Sequence, residues 1–231
     1  MVITLLILAT LSLFLSVVLM TASSARTITI ISSLVVFMGM IGLLIANDNY
    51  HFGLKKVSTT STQTLVSSTP NQHAGQPNIL LYQPLGNGQE KIYLYRTNAS
   101  QTKPQATPSQ HTTVKVRAIS ATSNATLMTK TTRWRYQNGW TQMLFGLSGE
   151  GGQLVSRQDV FQVPNSWLTL STSQAKQLAK LMKDPAKQDA LQAIVAQKMA
   201  AALKRQPQIS ANDRLLLEQQ LTKSAIEQQV K

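Results

Sequence analysis

Two runs without a single charged side chain, residues 2–20 and 27–46, fill almost all of the first 46 positions. At 1.5 Å per helical residue they span about 28 and about 30 Å, close to the roughly 30 Å hydrocarbon core of a bilayer. The linker between them, 21–26, leaves room only for a tight reversal. The sequence therefore predicts a transmembrane helical hairpin over 1–46, with spans at about 2–20 and 27–46. Small residues at four-residue spacing, Ser12 with Ser16 and Gly42 with Ala46, would let two such backbones approach closely. A cleavable leader would use Ser23-Ser24-Ala25 as its small-residue site. However, no Lys or Arg precedes the first run, and the run exceeds the roughly 7 to 15 apolar residues of such leaders.

The remaining residues are of a different kind. The whole chain of 231 residues has only 13% charged side chains, with 22 Lys+Arg against 9 Asp+Glu and no Cys. The absence of sulfhydryls excludes a disulfide framework, a thiolate metal site and cysteine nucleophile chemistry. Beyond residue 46 the chain is rich in Ser, Thr, Gln and Asn, so an apolar anchor is joined to a polar, basic tail.

Residues 47–78 read as a polar tether, punctuated by Pro70, Gly75 and Pro77. Residues 79–170 read as a small antiparallel β domain. Runs 79–82 and 91–96 flank Gly86-Asn87-Gly88, a turn sequence suited to positive φ. Ile92 and Leu94 point to one face, Tyr93 and Tyr95 to the other. A mobile insert is expected at 97–113, around Pro104 and Pro108. Val114, Val116 and Ala118 alternate with Lys115 and Arg117 as in a half-buried strand. A longer strand follows at 127–136, and Asn138-Gly139 signals a hairpin into a strand at 140–145. A further strand is expected at 154–163, with Pro164 and Trp167 closing a small antiparallel sheet or partly open barrel.

Residues 171–231 read as a basic helical tail. Thr172 or Ser173 would cap a helix carrying Ala175, Leu178 and Met182. Asp184-Pro185 would start a second helix, with Leu191, Ile194, Val195, Met199 and Leu203, ending before Pro207. Ser210 would cap a third, with Leu215, Leu217, Leu221 and Ile226. These stripes would pack on the sheet or pair with another copy of the chain. The expected fold class is thus α+β.

The end of the second span reads Ile45-Ala46-Asn47-Asp48-Asn49-Tyr50-His51-Phe52-Gly53-Leu54-Lys55-Lys56-Val57. With Lys91-Ile92-Tyr93-Leu94-Tyr95, Leu144-Phe145-Gly146, Leu154-Val155-Ser156-Arg157 and Val163-Pro164-Asn165-Ser166-Trp167, it resembles a family of uncharacterised membrane proteins of lactic acid bacteria. That family is defined only as a domain of unknown function with two amino-terminal spans. The resemblance covers nearly the whole chain and implies no activity, ligand or catalytic residue. It also implies that the linker faces the cytoplasm and the tail faces outward. This chain keeps only Arg26 in that linker, where the family is often more basic.

Two spans place both ends of the chain on one side of the membrane. Counting Arg26 against Lys55 and Lys56 narrowly favours a cytoplasmic tail. The uncharged amino-terminal overhang and the Cys-free polar tail favour the outside, so both termini are expected to be extracytoplasmic.

No catalytic set emerges. Gly146-Leu147-Ser148-Gly149-Glu150 approaches a nucleophile elbow, but its fifth position is Glu and it lies between two β-type runs. A hairpin loop is the simpler reading. Gly149-Glu150-Gly151-Gly152 lacks the Lys-Ser/Thr of a phosphate loop. His51, His73 and His111 have no partner at ligand spacing. Among the acids of the β region, Glu90 and Glu150 fall at turns, and Asp159 completes the set. No enzyme, metal or cofactor is expected.

Charge is the remaining signal. Residues 79–170 have nine basic and three acidic side chains, net +6, and 171–231 have ten and five, net +5. Arg133, Trp134, Arg135 and Trp140 would form a basic aromatic surface on one hairpin, and Lys176, Lys180, Lys183 and Lys187 would line one helix face. Such surfaces attract polyanions. The expected partners, besides the lipid bilayer, are an anionic wall polymer or anionic lipid headgroups, while nucleic acid is not expected. The expected role is a non-enzymatic binding or structural module at the cell envelope. The alternative is an accessory subunit of a transporter or other membrane assembly, in which a membrane protein is the partner.

Overall fold

A computed structural model describes residues 1–69, 77–205 and 208–229. Its class is α+β, with mixed small sheets and, among the described residues, six helices. The chain packs as two compact units, 1–59 with 131–157, and 60–130 with 158–231.

The first unit begins with α1 (Val2–Val18) and α2 (Ser24–Tyr50), which pack on each other. The turn between them is fixed locally. Ser23 caps α2 by accepting from Arg26 N at 3.4 Å, and Arg26 Nη2 donates to the Val17 carbonyl at 3.1 Å, filling an orphan acceptor at the end of α1. Between the helices, Ser12 Oγ and Ser33 Oγ lie 2.9 Å apart, and Ser16 donates to Ser12 O. Thr10 and Thr29 return their hydroxyls to Leu6 O and Ala25 O, so these polar groups are satisfied inside an apolar shaft. Gly42, expected at the helix contact with Ala46, instead faces outward with nothing within 4 Å of the position a Cβ would take, as does Gly39.

Among the described residues α2 is long and apolar enough to cross a membrane, at 27 residues. The first run is shorter than its sequence suggests. α1 stops at Val18 after 17 residues, because Leu19 to Ser23 are taken up by the turn. The expected pair of full-length spans is therefore reduced to one helix that meets the length by itself.

Eight strands follow among the described residues: β1 (Leu54–Thr64), β2 (Ile79–Leu85), β3 (Glu90–Tyr95), β4 (Gln105–Ala106), β5 (Thr112–Ile119), β6 (Thr126–Tyr136), β7 (Leu154–Pro164) and β8 (Leu168–Ser171). They form two four-stranded sheets, in the orders β1-β6-β7-β5 and β4-β3-β2-β8. The β2–β3 hairpin forms as expected, with Tyr82 opposite Tyr93 and positive φ at Gly86 and Gly88.

Several expectations are corrected. The tether reading fails at β1, whose Thr- and Ser-rich sequence is β-prone and finds a neighbour in β6. Pro70, His73 and Gly75 lie outside the described residues. The insert 97–113 is tied back by β4, where Ala106 pairs with Leu94 and Thr107 N donates to Tyr93 O. The hairpin at Asn138-Gly139 is a helix, α3 (Gly139–Phe145), because the Asn138 side chain accepts from Thr141 N and Thr141 Oγ1 receives from Asn138 N. The sheet is not purely antiparallel, since β8 runs parallel to β2, with Ile79 opposite Leu168 and Leu81 opposite Leu170. In β5 the alternation is only partly used: Val114 is half-buried, while Val116 and Ala118 are exposed.

In the second unit a core of Leu65, Leu80, Tyr95, Leu127, Phe161 and Trp167 gathers around the Phe161 ring, which stacks near Tyr93 and Tyr95 at 5.3 and 5.6 Å. The helices α4 (Thr172–Leu181), α5 (Pro185–Arg205) and α6 (Ala211–Gln229) complete it. The α4 cap is Ser171, one residue earlier than expected, in a capping box with Gln174. Asp184 and Ser210 cap the other two as expected, and Pro207 lies outside the described residues. Leu178 and Ile226 pack with Ile79, Leu168 and Leu170, so the first and third helical stripes touch the sheet there, while α5 packs on α6.

Candidate functional site

The first unit concentrates its specific contacts where α2 gives way to β1. His51 ends α2 in the left-handed conformation, φ 54°, and Phe52 N donates to Ala46 O. Asn47, the first strongly polar residue after the apolar run, is almost fully buried there. Its amide donates to Phe52 O at 2.8 Å, and its Oδ1 accepts from Ser148 Oγ at 3.1 Å. Ser148 Oγ also lies 2.6 Å from Phe145 O. Gln137 joins from just past the end of β6, its main-chain N donating to Gly53 O and its side chain to Leu54 O. Phe145 packs edge-on against Phe52, with ring centroids 6.3 Å apart. Tyr136 Oη donates to Phe145 O, which ties α3 to β6. The α-amino group of Met1 donates to the carbonyls of Met143 and Leu144 at the end of α3.

Ser148 was the residue of interest in the near-elbow motif. It follows a helix and precedes β7, and its hydroxyl is engaged with Asn47 and Phe145. In this geometry it positions a loop.

The sequence-predicted basic aromatic residues separate by element. Arg133 and Arg135 are exposed on β6, and Arg133 donates to Gly152 O. Trp134, on the opposite face, is half-buried, stacked on His51 at 4.2 Å with Lys56 Nζ 5.1 Å from its ring. Its ring is therefore occupied from within the unit. Trp140 stands on α3, exposed, and not on a strand. Lys176 and Lys180 share α4, Lys183 lies in the following turn, and Lys187 on α5 pairs with Asp184 at 3.7 Å. The single lysine face expected from spacing is broken because α4 stops at Leu181.

The second unit has an open groove of about 400 Å³ lined by Glu90, Lys91, Tyr93, Ser109 and Thr113 among others. Burial, and then the neighbouring Tyr82, push the Tyr93 hydroxyl above its ordinary pKa, so it remains a neutral donor. Asp159 is buried and accepts from Thr129 Oγ1 at 2.8 Å. Arg96 is buried too, with its guanidinium donating to the Ser67 and Ala99 carbonyls. Among the described residues no three His, Asp or Glu side chains gather where they would hold a metal ion. His73 lies outside those residues.

Sequence reasoning missed Asn47, Gln137 and Tyr136. One signal was present for Asn47: an amide at the very edge of an apolar helix requires internal partners.

A family model described as Domain of unknown function (DUF4811) matches residues 22–178. No curated protein and no solved structure matches the chain.

Proposed function

The chain belongs to the DUF4811 family, a domain of unknown function, and from that premise we propose a membrane-anchored, non-enzymatic protein that displays its β and helical units at the outer face of the cell envelope. In this reading α1 crosses the bilayer beside α2, as in the two-span membrane proteins of lactic acid bacteria that the sequence resembles. The observation that carries it is the shaft of α2. Ile28, Val35 and Met38 are all more than 60% exposed, while the hydroxyls of Thr10, Ser12, Ser16, Thr29 and Ser33 find partners within the helix pair. An apolar surface of that size requires a lipid or protein neighbour. Both termini are extracytoplasmic, and the exposed Arg133, Arg135, Lys176 and Lys180 supply charge for an anionic wall polymer or lipid headgroups.

The Cys-free chain makes topology the direct test. Single Ser123→Cys and Ser24→Cys variants are treated in intact cells with a membrane-impermeant maleimide; both positions are exposed. Labelling at 123 and not at 24 is the expected result. The reverse places the tail in the cytoplasm and discards the envelope role. Loss of salt-sensitive binding of the full chain to teichoic acid and to anionic vesicles would remove the polyanion partner separately.

A second reading is favoured by Gly39 and Gly42, whose outward faces are open. Small residues on an exposed helix face let a second helix approach closely, which suits an accessory subunit of a membrane assembly. Gly39→Leu with Gly42→Leu would then release a copurifying membrane protein; an unchanged set of partners would sink this reading.

A further inference from the structure

We infer that α3 and the turn after it form a seat in the headgroup layer of the bilayer, with Trp140, Met143 and Leu147 immersed at the lipid interface. The inference rests on the membrane reading of α2 and extends it to a segment that the sequence reads as part of a soluble sheet. Depth comes first. The 27 residues of α2 are about 40 Å long, about 10 Å more than the hydrocarbon core. The uncharged stretch ends at Ala46, so the last turn, with Asn47, Asp48 and Tyr50, emerges into the headgroups.

The segment that includes α3 is held beside that turn. Ser148 bonds Asn47 at 3.1 Å, and the Phe145 ring packs on Phe52. A helix fixed there stands at headgroup depth. Its faces then matter. Phe145 is 1% exposed against the end of α2, whereas Trp140 is 71%, Leu147 67% and Met143 43% exposed. Three large apolar side chains on nine residues of chain are poorly placed in water. Tyr50 and Phe52, at the junction itself, are exposed as well. Trp and Tyr concentrate at membrane interfaces because one part of the ring system is apolar and the other donates a hydrogen bond. Lys55 and Lys56, exposed immediately beyond, suit lipid phosphates. The occupant is thus the bilayer that α2 enters, continuous with its apolar shaft. The capping box at Asn138 and the Tyr136 bond to Phe145 O preform the short helix, so little order is lost on insertion.

The test uses the full chain in phosphatidylcholine–phosphatidylglycerol vesicles, with a nitroxide at either Val35→Cys or Leu147→Cys. Both residues are exposed, so the fold tolerates the labels. Collisions with oxygen, which partitions into lipid, are compared with those of a water-soluble nickel chelate. Oxygen is expected to dominate at both positions, more strongly at 35 than at 147. Nickel dominance at 147 with oxygen dominance at 35 overturns the seat and leaves the anchor standing. Exclusion of both reagents at 147, as under a second copy of the chain, also overturns it. Nickel dominance at 35 overturns the anchor itself, and the seat with it.

Discussion

The Ser148 hydroxyl reaches the side-chain oxygen of Asn47 at 3.1 Å, across 101 positions of sequence. The same amide donates to Phe52 O, so Asn47 joins the end of α2, the start of β1 and the loop after α3. Asn47→Leu removes both bonds and leaves the Phe52 carbonyl and the Ser148 hydroxyl without that partner. Its expected cost is about 1–3 kcal/mol, with about 1 kcal/mol for Ser148→Ala. The thermal unfolding midpoint of the detergent-solubilised protein reads both, and no shift for Asn47→Leu would contradict the joint.

Ser12 and Ser33 form a side-chain link midway between α1 and α2. In a membrane such pairs contribute about 0.6 kcal/mol on average. A double-mutant cycle of Ser12→Ala and Ser33→Ala, followed by denaturant unfolding in mixed micelles, is expected to give a coupling of that order. Strict additivity would mean that the hydroxyls do not meet.

Gly53 combines a φ of 81° with close neighbours that would have to give by a few tenths of an ångström to admit a Cβ. A Cβ there would lie 3.1 Å from Thr141 Cγ2 and 3.3 Å from the Phe145 ring. Gly53→Ala is expected to cost about 1–2 kcal/mol from the left-handed backbone alone. Limited proteolysis near α3 should accelerate in this variant and remain unchanged in Gly86→Ala, whose backbone strain falls in the β2–β3 turn.

Phe161 is fully buried between Tyr93 and Tyr95. Phe161→Ala leaves a cavity at the centre of the second unit, with an expected loss of about 3–5 kcal/mol. Phe161→Leu is expected to lose less. Equal losses in the two variants, measured by chemical denaturation, would argue against packing as the cause.

Tyr93 gives the fold a pH dependence at the alkaline end. Its folded pKa lies above the ordinary 10.0, through burial first and Tyr82 second. The folded state therefore holds the proton more tightly than the unfolded chain does. The associated stability is complete below the unfolded pKa and is lost as pH rises through the folded one. Stability should fall above about pH 10, and Tyr93→Phe should flatten that fall. A titration of phenolate absorbance should show one tyrosine ionising late, and Tyr82→Phe should bring it earlier.

Much of the β region was legible because its cues are local. Gly86 and Gly88 supply the positive φ that a hairpin needs, and the Tyr93/Tyr95 alternation finds Phe161 on the inner side. Asn138-Gly139 misled for a local reason as well: the same Asn that favours a turn is a strong helix cap once Thr141 reciprocates. The lysine row failed because spacing presumes one continuous helix, and Leu181 ends it. Strand β1 was hidden by its polarity, since its exposed Ser and Thr residues resemble a tether until β6 lies beside them.

The sequence alone determined that an apolar segment of membrane length precedes a basic, Cys-free, α+β tail, because charge and hydropathy are additive along the chain and need no partner to be read. Only the tertiary structure decided that β8 lies parallel to β2, that Leu178 and Ile226 dock on the sheet, that Ser148 reaches Asn47 at the end of α2, and that Tyr136 ties α3 to β6. Most of these join residues far apart in sequence, such as Ser148 with Asn47 and Ile226 with Ile79. Each depends on geometry that neither partner's neighbours encode, and exists only once the chain has closed the loops between them.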